Sequence, residues 1–460
     1  MGRSQTNLAW EVLLDLSGAG PRHERLARAL RTAIRDGVLS DGAALPPSRQ
    51  LAEDLDCSRW VVTQAYAQLV AEGYLGARTG SATRVRWSAE PESPAGPPAS
   101  APALPRYDLA PGLPDLRAFP RQRWLDALRG VLSVVPHSDL GLPVPGGHPR
   151  LRTVLAAYLR RCRAAAAEDV LICTGVTDGV TRVCRALRAA GITRIAVEDP
   201  GWPRLRRAAE SAGLTVVGVA VDNDGLCVER IPVGVRAVIV TPAHQFPSGT
   251  VLSAPRRAGL LAWARDVDGL VLEDDYDAEF RYDRRPVSTV QGMDPARVVL
   301  LGSVGKTLSP ALGIGWAVIP PQWTQRVRDA NPAASAPPVL DQLTFAIFVE
   351  DGAYDRHLRA ARLRYRSRRD ILVTTLGPTR VSGAAAGLHL LLHLADGTDA
   401  AAVVRRAAAN GLHVADLDTY RFATGEPALV LGYGNLADNT VADAVRVLHA
   451  AEDAAGSAPP

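Results

Sequence analysis

The segment Leu301-Gly302-Ser303-Val304-Gly305-Lys306-Thr307-Leu308-Ser309-Pro310 holds the one lysine among the 52 lysine and arginine residues of this 460-residue chain. Everywhere else arginine supplies the positive charge. The two side chains share a charge but not a chemistry: a guanidinium stays protonated, whereas a desolvated amine condenses with an aldehyde. The segment overlaps an apolar run, 298–302, that reads as a strand, so the lysine stands in the loop beyond a strand end. Further candidate strands at 170–173, 194–198, 215–219, 236–240, 269–273 and 314–319 alternate with helical patterns such as 178–190. That alternation predicts an α/β unit with a mainly parallel sheet, whose functional residues gather beyond the carboxyl ends of the strands.

Four other loops at strand ends carry chemistry. Thr174-Gly175-Val176-Thr177-Asp178 opens a helix, and the free amides of a helix start suit an anion such as phosphate. Glu198-Asp199-Pro200-Gly201-Trp202 ends a strand in a turn bearing an aromatic ring that could stack on a planar group. Thr241 to Gly249 sets His244 among prolines, and Glu273 to Phe280 clusters carboxylates after an apolar strand, where they need a cation to neutralise them. An aspartate there can hold a protonated pyridine nitrogen, and a tyrosine two residues on can reach a phenolic oxygen of the same ring. With the amine of Lys306, these loops assemble a site for pyridoxal 5′-phosphate.

Outward from this unit, residues 87–105 hold six prolines among nineteen residues and predict an extended tether. They divide a segment at 1–86 from one at 106–460, the last part of which, about 350–455, is expected to form a smaller α+β subdomain. The first segment predicts three helices and a hairpin. Leu26, Leu30, Ala33 and Ile34 form a stripe that stops at Gly37; Ser48 and Ser58 are expected to cap the second and third helices. Strands at about 74–78 and 82–86 follow. This is a winged helix-turn-helix pattern, whose third helix would enter a DNA major groove N-terminus first. The expected DNA face comprises Ser58, Arg59, Trp60 and Thr63, with Arg49 on the second helix and Arg78, Gly80 and Arg84 on the wing. The segment itself is only weakly basic, with 11 arginines against 9 acidic residues.

Bulk composition adds exclusions. The net charge of +4 identifies no partner, and five cysteines without a C-x-x-C pair fit reduced thiols better than disulfides or a zinc site, so no metal is expected. No apolar run reaches the length of a membrane helix and no apolar signal core is present, so the cytoplasm is the expected compartment.

Residues 45–75 closely resemble the DNA-binding domain of GntR-type bacterial repressors. The motifs EDPGW (198–202), TPAHQFPSG (241–249), EDDYDAEF (273–280) and GKTLSPALGIGW (305–316) resemble, in order and approximate spacing, those of the MocR family. In that family a GntR-type domain is tethered to a fold-type I aminotransferase-like domain. Ala386 to His389 and Leu429 to Tyr433 match its C-terminal part. The resemblance implies Lys306 as the lysine of the internal aldimine, Asp274 as partner of the pyridine nitrogen and Tyr276 as partner of the ring oxygen. It places Val176 and Thr177 at the phosphate, with Trp202 and His244 near the ring. It also implies a homodimer paired head to tail with exchanged domains, binding two DNA half-sites. Two positions depart from the family: Gly305 and Gly313 stand where a serine and an arginine usually bind the phosphate. Such charge-assisted bonds are worth roughly 1.5–3 kcal/mol each when well placed.

The expected function is therefore a DNA-binding transcription regulator that does not turn over substrate and senses pyridoxal 5′-phosphate or an amino compound. A working aminotransferase, with Arg421 clamping a substrate carboxylate, is one alternative. A degenerate domain sensing another ligand is the other.

Overall fold

The structure is a computed structural model that describes residues 14–77, 82–87, 104–282, 287–334 and 336–456. The chain divides into two compact units, Met1–Ala103 and Leu104–Pro460. Most of the expected tether lies outside the described residues.

In the first unit, α1 (Arg22–Arg35), α2 (Ser48–Asp54) and α3 (Arg59–Ala71) precede a hairpin of β1 (Leu75–Gly76) and β2 (Arg84–Val85). Leu26, Leu30 and Ile34 of α1 pack against Leu51 of α2 and Val62, Ala65 and Leu69 of α3. The spacings, i, i+4, i+8 on α1 and i, i+3, i+7 on α3, are apolar stripes closing on one another. The expected serine caps are not made. Pro47 takes the N-cap position of α2, so Ser48 already lies inside the helix. Ser58 stands at the N-cap of α3, but its hydroxyl bonds none of the helix amides. Ser48 Oγ instead accepts a 3.3 Å hydrogen bond from Arg59 Nε.

The second unit begins with β3 (Tyr107–Asp108), α4 (Arg121–Val134) and α5 (Pro149–Arg163), then enters its main sheet. The strands are β4 (Leu171–Cys173), β5 (Arg194–Asp199), β6 (Thr215–Asp222), β7 (Gly225–Leu226), β8 (Ala237–Val240), β9 (Leu270–Asp274), β10 (Val298–Ser303) and β11 (Gly315–Val318). They are ordered β4-β11-β10-β9-β8-β5-β6-β7. Pairing is parallel from β10 through β6, while β11 runs antiparallel to both β10 and β4, and β7 to β6. Because β11 alone is reversed between them, β4 and β10 point the same way. Alternate residues feed opposite faces: Val299 and Leu301 pack with Leu272 and Leu187, whereas Leu300 joins a core with Trp316 and Leu431.

Helices α6 (Val176–Ala189), α7 (Pro203–Ser211), α8 (Ala254–Asp266) and α9 (Pro321–Asp329) belong to this layer. Next come α10 (Val339–Glu350) and the long α11 (Ala353–Leu376). The smaller sheet has the order β12-β13-β16-β15, from β12 (Val381–Ser382), β13 (His389–His393), β15 (Ala415–Asp416) and β16 (Ala428–Gly432). With it come α12 (Ala400–Ala409), β14 (Leu412–His413) and α13 (Val441–Gly456). β14 pairs in parallel with β3, which ties the start of the unit to its C-terminal part. The following strap presses onto β16. Gly432 N–H donates to Leu109 O, and a Cβ on Gly432 would meet Ala110 O at 2.3 Å.

Candidate functional site

The acidic run that begins at the end of β9 is largely buried, and its carboxylates have separate fates. Glu273 accepts hydrogen bonds from the amides of Val290 and Gln291, at 3.0 and 2.8 Å. Asp275 takes a two-pronged ion pair from Arg163, at 2.7 and 2.8 Å. Asp277 Oδ2 lies 2.9 Å from His244 Nδ1. Asp274, the last residue of β9, is different: its buried Oδ1 has no hydrogen-bond partner among the described residues. Burial pushes its carboxyl up to about 8, against the favourable charge of Lys306. A buried acceptor left bare is costly, and it marks the place of a missing donor.

Asp274 lines a cavity of about 340 Å³ at the carboxyl edge of the sheet. Lys306 enters the same cavity from the loop after β10. Its side chain is partly accessible along the cavity while its amine sits deep among protein atoms. Burial lowers the amine to about 8, with Asp274 and Asp277 opposing and Arg204 reinforcing the shift. Nζ donates a 2.5 Å hydrogen bond to Gly112 O and lies 5.2 Å from the Trp202 ring centre. Trp202 is itself wedged edge-on against Phe246 and stacked on Tyr420, with centroids 4.7 and 5.9 Å away.

One end of the cavity is made for an anion. Helix α6 starts at Val176, two residues earlier than the sequence pattern predicts, because Asp178 turns inward to accept from Thr174 and Arg182 instead of capping. No side chain caps the helix, which leaves the amides of Val176 and Thr177 at the cavity. Ser303, Gly305, Gly313 and Arg204 line the cavity as well.

Tyr276 lines the cavity, and its hydroxyl is 3.2 Å from His244 Nδ1. His244, expected near a bound ring, lies instead behind Tyr276, outside the lining and hydrogen-bonded to Asp277. His389 takes a place in the lining, 4.8 Å between ring centres from His244, and burial keeps its imidazole neutral. Nitrogen and oxygen atoms of His244, Asp277 and His389 lie within 4.8 Å of one another, spacing that a metal ion could use. The bond from His244 to Asp277 accounts for part of that closeness. No local sequence pattern marks His389, Ser303, Arg204 or Gly112 as part of the site. Only the backbone approach at Gly112, which has φ of 99°, left a signal, as a glycine next to proline.

This donor set fits pyridoxal 5′-phosphate: a bare carboxylate oxygen, an unbonded helix start, an aromatic face and an amine of lowered basicity converge on one cavity.

Residues 22–85 match the family described as bacterial regulatory proteins, gntR family, and residues 122–417 that described as aminotransferase class I and II. The chain is 33% identical over 456 residues to the HTH-type pyridoxine biosynthesis transcriptional regulator PdxR of Corynebacterium glutamicum, spanning 94% of this chain and 97% of that one. It is 31% identical over 479 residues to the probable rhizopine catabolism regulatory protein MocR of Rhizobium meliloti, spanning 96% and 95%. The chain belongs to the MocR-type transcription regulators. Its second unit has the fold of the aminotransferases. An archaeal alanine:glyoxylate aminotransferase superposes with a TM-score of 0.70 at 23% identity, over 76% of this chain and 91% of that one.

Two expectations for this MocR-type regulator need correction or restriction. Arg421 does not reach the cavity: its guanidinium is held by Asp418 at 2.9 Å and by Glu426 O at 3.0 Å. Arg78 and Gly80 of the wing lie outside the described residues. On α3, Arg59 and Thr63 are exposed, and Trp60 is 60% exposed despite its size, packed edge-on against His23 at 5.4 Å. Arg49 is exposed beside Glu53, and Arg84 donates to Gly42 O at 2.8 Å, so it also holds the wing. Among the described residues no helix is long and apolar enough to cross a membrane.

Proposed function

We propose that this regulator holds pyridoxal 5′-phosphate at Lys306 and reports its presence, or that of an amino compound exchanging with the lysine, to DNA. The observation that carries the reading is the unpartnered Oδ1 of Asp274 in the cavity that also receives the Lys306 amine. Asp274 would hold the pyridine nitrogen, Tyr276 the ring oxygen, Trp202 the ring face, and Val176 and Thr177 the phosphate. His244 acts through Tyr276 and Asp277. Bound there, the cofactor would supply an aldehyde conjugated to an electron-withdrawing ring. Lys306 supplies the nucleophile, and burial keeps a useful fraction of it neutral.

A route from site to DNA starts at Gly112. It accepts the Lys306 hydrogen bond and stands in the strap that follows the boundary between the units. Drawing the amine away from Gly112 O releases one tie on that strap. We read the chain as a sensor without turnover, since Arg421 is engaged elsewhere and, among the described residues, Arg204 is the one arginine in the cavity lining. Two copies would pair through the aminotransferase-like units and cover Leu132, Val134 and Leu142, which are exposed. The winged helices would then read two half-sites.

The test is a visible spectrum with added pyridoxal 5′-phosphate. Wild type is expected to gain a band that Lys306→Ala lacks, and borohydride is expected to fix the cofactor at position 306. Equal spectra for the two proteins would remove the assignment.

A further inference from the structure

We infer that Arg204 supplies the fixed positive charge for the cofactor's phosphate, in the role that glycine at position 313 leaves empty. The inference rests on the cofactor reading above. The anion end of the cavity offers helix amides at Val176 and Thr177 and the Ser303 hydroxyl, all neutral donors. A phosphate carries close to two negative charges, and neutral donors leave that charge uncompensated in a partly enclosed site. Among the described residues, two cationic side chains line the cavity, Lys306 and Arg204. Lys306 is committed to the aldehyde.

Arg204 is placed for the task. It lies in the first turn of α7, which packs on α6, and Arg204 and Leu205 line the same cavity as Val176 and Thr177 at the start of α6. Among the described residues no hydrogen bond or ion pair holds its guanidinium. Arg182, close to the same helix start, is by contrast spent on Asp178. There is also room. A Cβ built on Gly313 meets nothing within 4 Å, so the space beside that glycine is open to a side chain arriving from elsewhere. A planar guanidinium suits the purpose better than an ammonium because two of its N–H groups can engage two phosphate oxygens at once.

The experiment compares pyridoxal 5′-phosphate with pyridoxal, which has the aldehyde but no phosphate, by absorbance titration of the full chain. In Arg204→Ala, affinity for the phosphorylated form is expected to fall tenfold or more, and that for pyridoxal by a clearly smaller factor that reflects only the lost effect of Arg204 on the Lys306 amine. Arg204→Lys is expected to fall between wild type and Arg204→Ala. Calorimetry with inorganic phosphate gives a reading independent of the lysine, and binding there should weaken in Arg204→Ala. If the preference for the phosphorylated aldehyde and the affinity for inorganic phosphate are both the same in wild type and Arg204→Ala, the inference is wrong. Loss of response to an anionic amino acid, with cofactor affinity intact, would overturn it in favour of a carboxylate clamp. A wild type that binds inorganic phosphate through Arg204 yet gains no band with either aldehyde would instead sink the cofactor reading and leave the anion site standing.

Discussion

The carbonyl oxygen of Gly112 accepts a 2.5 Å hydrogen bond from Nζ of Lys306, across 194 positions of sequence. The approach is so close that a Cβ on Gly112 would stand 2.8 Å from that nitrogen and 3.3 Å from the Trp202 ring, at a φ of 99° that suits only glycine. Gly112→Ala is therefore expected to displace the strap or the lysine, weaken cofactor retention and alter DNA affinity together. Both are measurable on one preparation, by absorbance and by fluorescence anisotropy with operator DNA. An alanine variant that matches wild type in both would show that the strap carries no signal.

Burial brings Lys306 to about 8, so roughly a tenth of its amines are neutral at pH 7, far more than an exposed lysine would have. Only the neutral amine attacks an aldehyde. The rate of cofactor capture should rise from pH 7 to pH 9 and level off above that. Asp274 raises the amine's basicity. Asp274→Asn removes that support, so the midpoint should move to lower pH while cofactor affinity drops. A flat pH profile, or an upward shift in the variant, would contradict this electrostatic account.

Asp275, next to Asp274, pairs with Arg163, and both side chains are about 6% exposed. Arg163 also donates to Val287 O and so pins the loop beyond the acidic run. Truncating one partner strands a buried charge, which typically costs about 3–5 kcal/mol. Arg163→Ala should lower the denaturant midpoint of the second unit, and a double replacement by apolar residues of similar volume should recover much of the loss. Equal destabilisation by the single and double variants would assign the effect to packing instead.

The strand runs and the strand-end placing of Lys306 and Asp274 are legible in the sequence because each is local: an apolar run, then a polar side chain at its end or in the next loop. Strands 194–198 and 298–302 were placed within a residue of their observed ends. What escaped reading depends on contacts between distant residues. His389 reaches the cavity only because β13 lies in the smaller sheet beside it, and Arg204 only because α7 packs on α6. The same limit applies to two further residues. Nothing near position 421 announces that Asp418 and the turn at Glu426 capture its guanidinium. His244 was drawn into the site by its motif, yet Tyr276 and Asp277 hold it one layer back.

The recognition helix offers a separable test. Trp60 is largely exposed at the start of α3 and Arg59 precedes it, while Val62 and Ala65 are wholly buried. Among the described residues the Arg59 guanidinium is held only by the long bond to Ser48, so it can turn to a base edge or a phosphate. Arg59→Ala should weaken specific binding by about 1–3 kcal/mol and relax sequence preference at one position of each half-site. Arg49→Ala, on α2, should weaken binding evenly across sequences and reduce its dependence on salt. Competition binding at several salt concentrations distinguishes the two. If Arg59→Ala lowers specific and non-specific binding equally, the helix touches the backbone there and its base-reading residues lie further along α3.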